Sequence, residues 1–320
     1  MTVLQSAILA IAIFIGAALQ PSSVTAQGSA SANRDTVGIM AGSVRGTYSR
    51  FAQDMADALD QEGRLRVIAQ LGRGSIKNVD DLLFLRGVDL AIVQSDVLEW
   101  YRQNGVEGVS DIGSKINYVM KLYNEEIHFL VREDILSIKD LDGQRVSMGG
   151  AGSGTFLTST QVFGSFGIAP IPLNMSNSEA VSGVRSGDLA GAVFVVGKPA
   201  SYFSEITLGD GVKLLPVEID RQLEDRGYIS TVLTSSDYPN LVREGVSIES
   251  IAVGAVLAAY NWKSSSSRYD RVRNFTEDLL GALPRLQSDP SFHPKWKDVD
   301  PFATVPGWKR FSAASEALGQ

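Results

Sequence analysis

The sequence predicts an α/β protein of two similar lobes, each a mostly parallel sheet flanked by helices, with a ligand cleft between them. Three observations predict it. Short β-like runs alternate with amphipathic helical stretches, which is the pattern of a parallel sheet. The same order of elements appears twice, about a hundred residues apart. Glycine-rich turns recur where strands lead into helices, the place where α/β proteins bind ligands.

In the first copy TVGIMAG, from Thr36, reads as a strand, SVRGT as a turn, and the next stretch as a helix with Tyr48, Phe51, Ala52, Met55 and Leu59 on one face. The run RLRVIAQL, the turn GRGS, a helix from about Ile76 to Arg86 and the buried-type strand DLAIVQ follow. The second copy runs RVSMGG, AGSGTF, a helix to about Phe166, IPLNMSNSEA, a short helix and DLAGAVFVV. The copies share wording: AGS-VR-GTY (41–48) echoes AGS-GTF (151–156), and Asp89-Leu90-Ala91 echoes Asp188-Leu189-Ala190. Between them, Ile116 to Asp134 reads as strands crossing from one lobe to the other, with a return crossing near Tyr228 to Leu233. Beyond Pro239 the pattern reads as helical. Ile248, Ile251, Ala255 and Ala259 repeat at helical spacing in IESIAVGAVLAAYNW, and RYDRVRNFTEDLLGAL follows the solvated turn KSSSS. These C-terminal helices are expected to pack on the first lobe, so that lobe I spans 35–125 plus 230–320 and lobe II spans 126–229.

Residues 1–33 carry no charged side chain, and AILAIAIFIGAAL (7–19) is too short to span a bilayer. The stretch reads as a signal peptide over 1–26, with small residues Val24-Thr25-Ala26 before a cut ahead of Gln27 and a flexible mature tail over 27–34. Periplasmic export is the expectation. The net charge of −7 and pI near 5.0 argue against a nucleic-acid surface. With no cysteine, the chain has no disulfide, thiol nucleophile or Cys-based metal site.

The stretch SMGGAGSGTF (147–156) looks like a phosphate loop. However, Thr155 stands where a triphosphate-binding loop places its lysine, and also where a dinucleotide fingerprint places its third glycine. A bare anion cradle remains. Four turns carry this character: 42–47, 72–75, 94–96 and 152–155. Three of them join glycine with hydroxyls, 94–96 supplies a hydroxyl alone, and each sets N–H groups at a helix start, where the helix dipole favours a carboxylate or phosphate. The candidate ligand-binding residues are Ser43, Arg45, Thr47, Tyr48, Arg73, Ser75, Gln94, Ser95, Ser153, Gly154, Thr155 and Lys198. Arg45 and Arg73 suit a carboxylate through paired hydrogen bonds. Ordinary helix capping by Ser and Thr is the competing explanation for each loop taken singly. Trp100 and Tyr101 either wall the cleft or pack the lobe. Catalysis finds no support: His128 and His293 lack evident partners, no serine occupies a nucleophile elbow, and Asp80-Asp81 and Glu125-Glu126 read as solvated pairs. No metal or cofactor is expected.

The segments GSVRGTYSRFAQDMADAL, DLAIVQSDV, LDGQRVSMGGAGSGT, DLAGAVFVVGKPA and VGAVLAAYNW, with HPKW and VPGWKRF, resemble those of the solute-binding subunits of TAXI-type TRAP transporters. The resemblance runs through nearly the whole chain after the leader. It implies a periplasmic-binding-protein fold of type II topology, a small anionic metabolite as ligand, integral-membrane TRAP subunits as partners, a monomer, and no enzymatic step. A periplasmic sensor of the same fold, read by a membrane receptor kinase, is the alternative. The chain departs from that family at GSVRGTYS, where relatives have a looser GGTGGTYY, and at Arg73, where they often have glycine. Both changes add positive charge beside the expected pocket.

Overall fold

The first strands are short apolar runs, β1 and β3 almost wholly buried and β2 partly so, and β1 and β2 lead into glycine turns at Gly42 and Gly72. The computed structural model describes residues 35–61 and 64–320. The expected leader and the tail at 27–34 lie outside the described residues.

Strand β1 (Thr36–Met40) pairs in parallel with β2 (Arg66–Gln70) on one side and β3 (Leu90–Gln94) on the other. Helices α1 (Thr47–Leu59), α2 (Ser75–Phe84) and α3 (Ser95–Asn104) each follow one of these strands. The second copy repeats the arrangement. Strand β5 (Arg145–Ser147) lies parallel to β6 (Ile171–Leu173) and to β7 (Gly191–Val196), with α4 (Gly154–Ser165) after β5 and α5 (Asn177–Ser186) after β6. The orders β2-β1-β3 and β6-β5-β7 are therefore the same, as the shared wording of the copies leads one to expect.

Two long antiparallel strands join the ends. Strand β4 (Ile116–Arg132) and β10 (Ser247–Tyr260) pair along most of their length, with register shifts at Gly254/Val256 and Leu257/Ala258. The C-terminal half of β10 continues onto β3, and the C-terminal half of β4 continues onto β7. One sheet of order β2-β1-β3-β10-β4-β7-β5-β6 results, with β8 (Val212–Leu214) beside β4 and β9 (Ile229–Thr234) beside β10.

Two expectations are corrected here. Residues 247–260 are a strand, not a helix: Ser250 to Ala259 are all buried, so both faces of the strand are covered by packed cores and the apparent helical spacing picks out no outer face. The strand that returns between the lobes is β10, while β9 at 229–234 forms an antiparallel pair with its first half. The C-terminal helix α7 (Ser267–Ser288) does pack on the first half. Its Val272, Phe275 and Leu279 join Val37, Ile39, Phe51 and Met55 in one core. A short helix α6 (Arg221–Glu224) and the terminal α8 (Ser312–Ala317) complete the set. Around β7 a separate core joins Phe194 and Val212 with Leu233, Tyr238, Leu241 and Val242. No helix among the described residues is long and apolar enough to cross a membrane.

Candidate functional site

The loops at the carboxyl ends of β1, β2, β5 and β6 meet the middle of the sheet around one cavity of about 370 Å³. Its wall takes 42–48 and 72–75 from the first copy, 149–150, 153–155 and 175–178 from the second, with Gln94, Glu125, Val195, Val196 and Tyr202. The turn at 42–47 and residues 153–155 of the 152–155 turn thus face a shared crevice.

Close backbone approach explains the glycines. A Cβ on Gly72 would sit 2.6 Å from Ala41 O, and one on Gly74, whose φ is +105°, would sit 2.8 Å from Ser153 Cα. The Gly72 N–H donates to Gly42 O (3.2 Å), tying the first two loops together. Helices α1 and α2 begin after Gly46 and Gly74, neither of which supplies a capping side chain. Their opening amides therefore lack the side-chain oxygen that usually satisfies them. Helix α4 is capped at one amide, where Ser153 Oγ accepts from Phe156 N. Helix α5 caps itself through the reciprocal pair Ser176 and Glu179, which leaves α1, α2 and α4 as the better anion sites.

Contacts cross the cavity mouth. Ser43 Oγ lies 2.9 Å from Tyr202 Oη, Arg45 Nη2 donates to Ser201 O (3.0 Å), and Ser201 Oγ donates back to Arg45 O (3.2 Å). The Arg45 guanidinium also lies 5.4 Å from the centre of the Tyr202 ring. On the far side Lys77 N donates to Gly152 O (3.2 Å), and Thr47 Oγ1 donates to Gly197 O (3.4 Å).

Beneath the loops runs a buried polar chain. Tyr48 Oη lies 3.2 Å from Ser75 Oγ, which donates to Gln94 Oε1 (3.0 Å); Gln94 Nε2 donates to Thr158 Oγ1 (2.9 Å). Thr158 Oγ1 and Tyr228 Oη each donate to Asp96 Oδ2 at 2.6 Å. Burial pushes the Asp96 carboxyl upward, and the Thr158 and Tyr228 hydroxyls pull part of that back. Glu125, 2 % exposed, ends the chain on the cavity floor, with Tyr123 Oη donating to its Oε1 (3.3 Å). Burial, reinforced by Asp96, holds its carboxyl well above the usual carboxylate range.

Ten of the twelve sequence-derived candidates line the cavity: Ser43, Arg45, Thr47, Tyr48, Arg73, Ser75, Gln94, Ser153, Gly154 and Thr155. Ser95 and Lys198 do not. Ser95 Oγ accepts from Gly254 N (3.2 Å), and Lys198 Nζ donates to Val232 O (2.6 Å) and pairs with Asp237 (3.0 Å). Both side chains serve the frame. The reading of Glu125-Glu126 as a solvated pair is corrected, since both are 2 % exposed within β4, where the strand passes under the cleft. Their place in a crossing strand was the available signal. Tyr202 and the 175–178 loop carry no sequence signal of their own. Tyr101 is packing, its hydroxyl donating to Asp80 (2.9 Å). Among the described residues no group of three or more acidic, His or Cys side chains stands together to hold a metal.

Comparison with solved structures and family profiles places this architecture among known proteins. A Bordetella bronchiseptica protein of known structure is 13 % identical with a TM-score of 0.53, over 89 % of this chain and 81 % of that one. The ligand-binding component of an ABC-type import system from Staphylococcus aureus, solved with zinc, shows 13 % identity and a TM-score of 0.49 over 89 % and 83 % of the two chains. The periplasmic aliphatic sulphonate binding protein SsuA from Escherichia coli shows 13 % and 0.43 over 89 % and 75 %. The Bordetella bronchiseptica protein shares this fold, two similar α/β halves on one sheet. The sequence profile of the NMT1-like family matches residues 39–294, and the chain belongs to that family.

Proposed function

We propose that the chain is an exported solute-binding protein. It captures a small carboxylate-bearing solute, an organic acid or an acidic amino acid, and hands it unaltered to the membrane subunits of a TRAP-type secondary transporter. One observation carries the binding reading: the openings of α1, α2 and α4, drawn from both ends of the sheet, meet at a single cavity with Arg45 and Arg73 on its wall. Three or four hydrogen bonds to a charged group, at about 1.5–3 kcal/mol each, support a Kd near 1 μM, about −8 kcal/mol, after ordering costs. The TRAP partner and the periplasmic location, with a leader cut near Ala26, rest on the sequence resemblance and the leader-like 1–26. The moving bodies, expected from the sequence as 35–125 plus 230–320 and 126–229, are proposed with one change at the second boundary. The packing of Leu233, Tyr238 and Leu241 against Phe194 favours placing the second crossing within β10.

A thermal-shift panel of dicarboxylates, 2-oxoacids and amino acids tests the binding reading. We expect a rise in Tm for a subset of carboxylates and loss of that rise in Thr155→Ala and Arg73→Ala. Silence across the panel overturns it, and unchanged affinity in both variants moves the site elsewhere. Uptake into proteoliposomes driven by an ion gradient without ATP tests the transporter type.

A further inference from the structure

A second cavity, of about 470 Å³, lies on the other side of α1 from the solute cavity. Tyr48 faces the first, while Ser49, Arg50 and Gln53, on the opposite flank of the same turns, line the second. The end of β2 (69–71) and the loop after β7, through Pro199 and Ser201, complete its wall. The chain carries a net charge of −7, yet among the described residues no acid lines this cavity and two arginines do, Arg45 and Arg50. The acids behind the wall are engaged. Asp54, fully buried, takes Arg50 Nε (2.9 Å), His293 N (2.8 Å) and Trp296 Nε1 (2.9 Å), and Asp57 accepts from Gln53 Nε2 (2.7 Å). Arg50 Nη2 donates to Ser291 O and Arg45 Nη2 to Ser201 O (3.0 Å), which leaves Arg50 Nη1 and Arg45 Nε and Nη1 with no protein partner among the described residues. His293, also on the wall, adds a neutral donor. Its Nδ1 accepts from Lys295 N (3.1 Å), so the ring proton sits on Nε2, and burial, with the charges of Arg50 and Lys295, lowers its pKa to about 4.

We propose that this outer cavity is a second binding site, for a tetrahedral dianion: phosphate or sulfate, free or as a small monoester. Two guanidinium groups and an imidazole N–H on one wall offer more donors than a planar carboxylate engages, and they suit an anion with three terminal oxygens. Gly46 and Thr47, at the start of α1 where no side chain caps the helix, belong to this wall too and add its positive end. Val44 and Leu71, 75 % and 64 % exposed, supply apolar surface for an ester's organic group. The site is independent of carboxylate capture. Arg73 lines the first cavity alone, and Arg50, Gln53 and Leu71 line the second alone.

The test is isothermal titration calorimetry of the full mature chain at pH 7.5 and low ionic strength with inorganic phosphate, inorganic sulfate, glycerol 3-phosphate and phenyl phosphate, and with chloride and acetate as controls. At least one of the four tetrahedral anions should bind tenfold or more tightly than either control; a monoester tighter than the free ions assigns the ester, and the reverse assigns the free ion. Leu71→Glu and Gln53→Glu each place a carboxylate on the outer wall at an exposed position, and each should weaken that anion at least tenfold, with circular dichroism confirming the fold. Arg73→Ala should leave it within twofold. Failure of all four anions to bind overturns the proposal, as does binding no tighter than chloride or acetate; both readouts use the unaltered chain. An Arg73→Ala loss as large as that of the outer variants also overturns it, because the anion then sits in the solute cavity. Carboxylate capture stands in each of these cases, since the thermal-shift panel tests it separately.

Discussion

Gly154 occupies a position where no side chain fits. A Cβ there would fall 1.4 Å from Gln94 Oε1, and Gln94 has nowhere to go, because Ser75 and Thr158 hold both ends of its amide. Gly154→Ala should therefore cost about 1–3 kcal/mol in chemical denaturation and lower solute affinity at least tenfold, since the clash lies between groups from the two lobes. A variant as stable and as tight as the parent would contradict the assigned packing. His128 gives a second prediction. Its Nδ1 donates to Glu126 O (3.0 Å) and its Nε2 accepts from Tyr238 Oη (2.7 Å), and burial depresses its pKa to about 3 from 6.5. The folded state thus holds His128 neutral while the unfolded chain protonates below 6.5, so this contribution is intact above 6.5 and declines as pH falls toward 3. The buried carboxyls of Asp96, Glu125 and Glu126 act in the opposite sense, which makes a difference measurement necessary. The stability gap between the parent and His128→Gln should narrow steadily from pH 7 to pH 4, and a pH-independent gap would contradict it. Residues of this kind divide by how they announce themselves. Gly154 and Thr155 stand in a motif and were legible; Glu125 and Glu126 look like any solvated acidic pair until the strand that carries them is placed in the middle of the sheet.

Strand β10 is the element whose type the sequence concealed. Its run SIAVGAVLAA is buried on both faces, and a continuous apolar stretch carries no outward polar rhythm by which strand and helix are told apart. Alanine favours helix in isolation, yet neighbours on both edges, β3 and β9 on one side and β4 on the other, override that preference. The strands β1, β2, β3 and β7 were legible because each is a short apolar run rich in Val and Ile with a glycine within a few residues of at least one end. Strand β4 also receives the C-terminal segment. Lys295, 5 % exposed, places Nζ 2.7 Å from Glu126 Oε1, and Trp296 Nε1 donates to Asp54 Oδ2 (2.9 Å) beneath α1. Removing one member of a buried ion pair strands the other, so Lys295→Met should destabilise the protein by about 3–5 kcal/mol. The double variant Lys295→Met/Glu126→Leu should recover most of that loss in urea denaturation. Equal losses in the single and double variants would show that the segment is held by other contacts.

At the scale of the whole molecule, two copies of one strand order share a sheet through β4 and β10, and the ligand-facing turns of both copies open on one cavity. The repeated wording of the copies made the pairing of lobes legible, because a shared order of strand, glycine turn and helix constrains where the turns emerge. What composition did not convey was the mouth: Ser43 with Tyr202 and Arg45 with Ser201 join residues about 160 positions apart, with no local pattern on the Tyr202 side. A solute that touches both lobes favours the joined arrangement by its differential affinity for it. The crystal structure of the protein with the tightest carboxylate from the thermal-shift panel tests this claim most directly. The account predicts the carboxylate within hydrogen-bond distance of amides opening α2 and α4, flanked by the 42–47 and 153–155 turns; a solute bound outside this cavity, or touching one lobe alone, would contradict it.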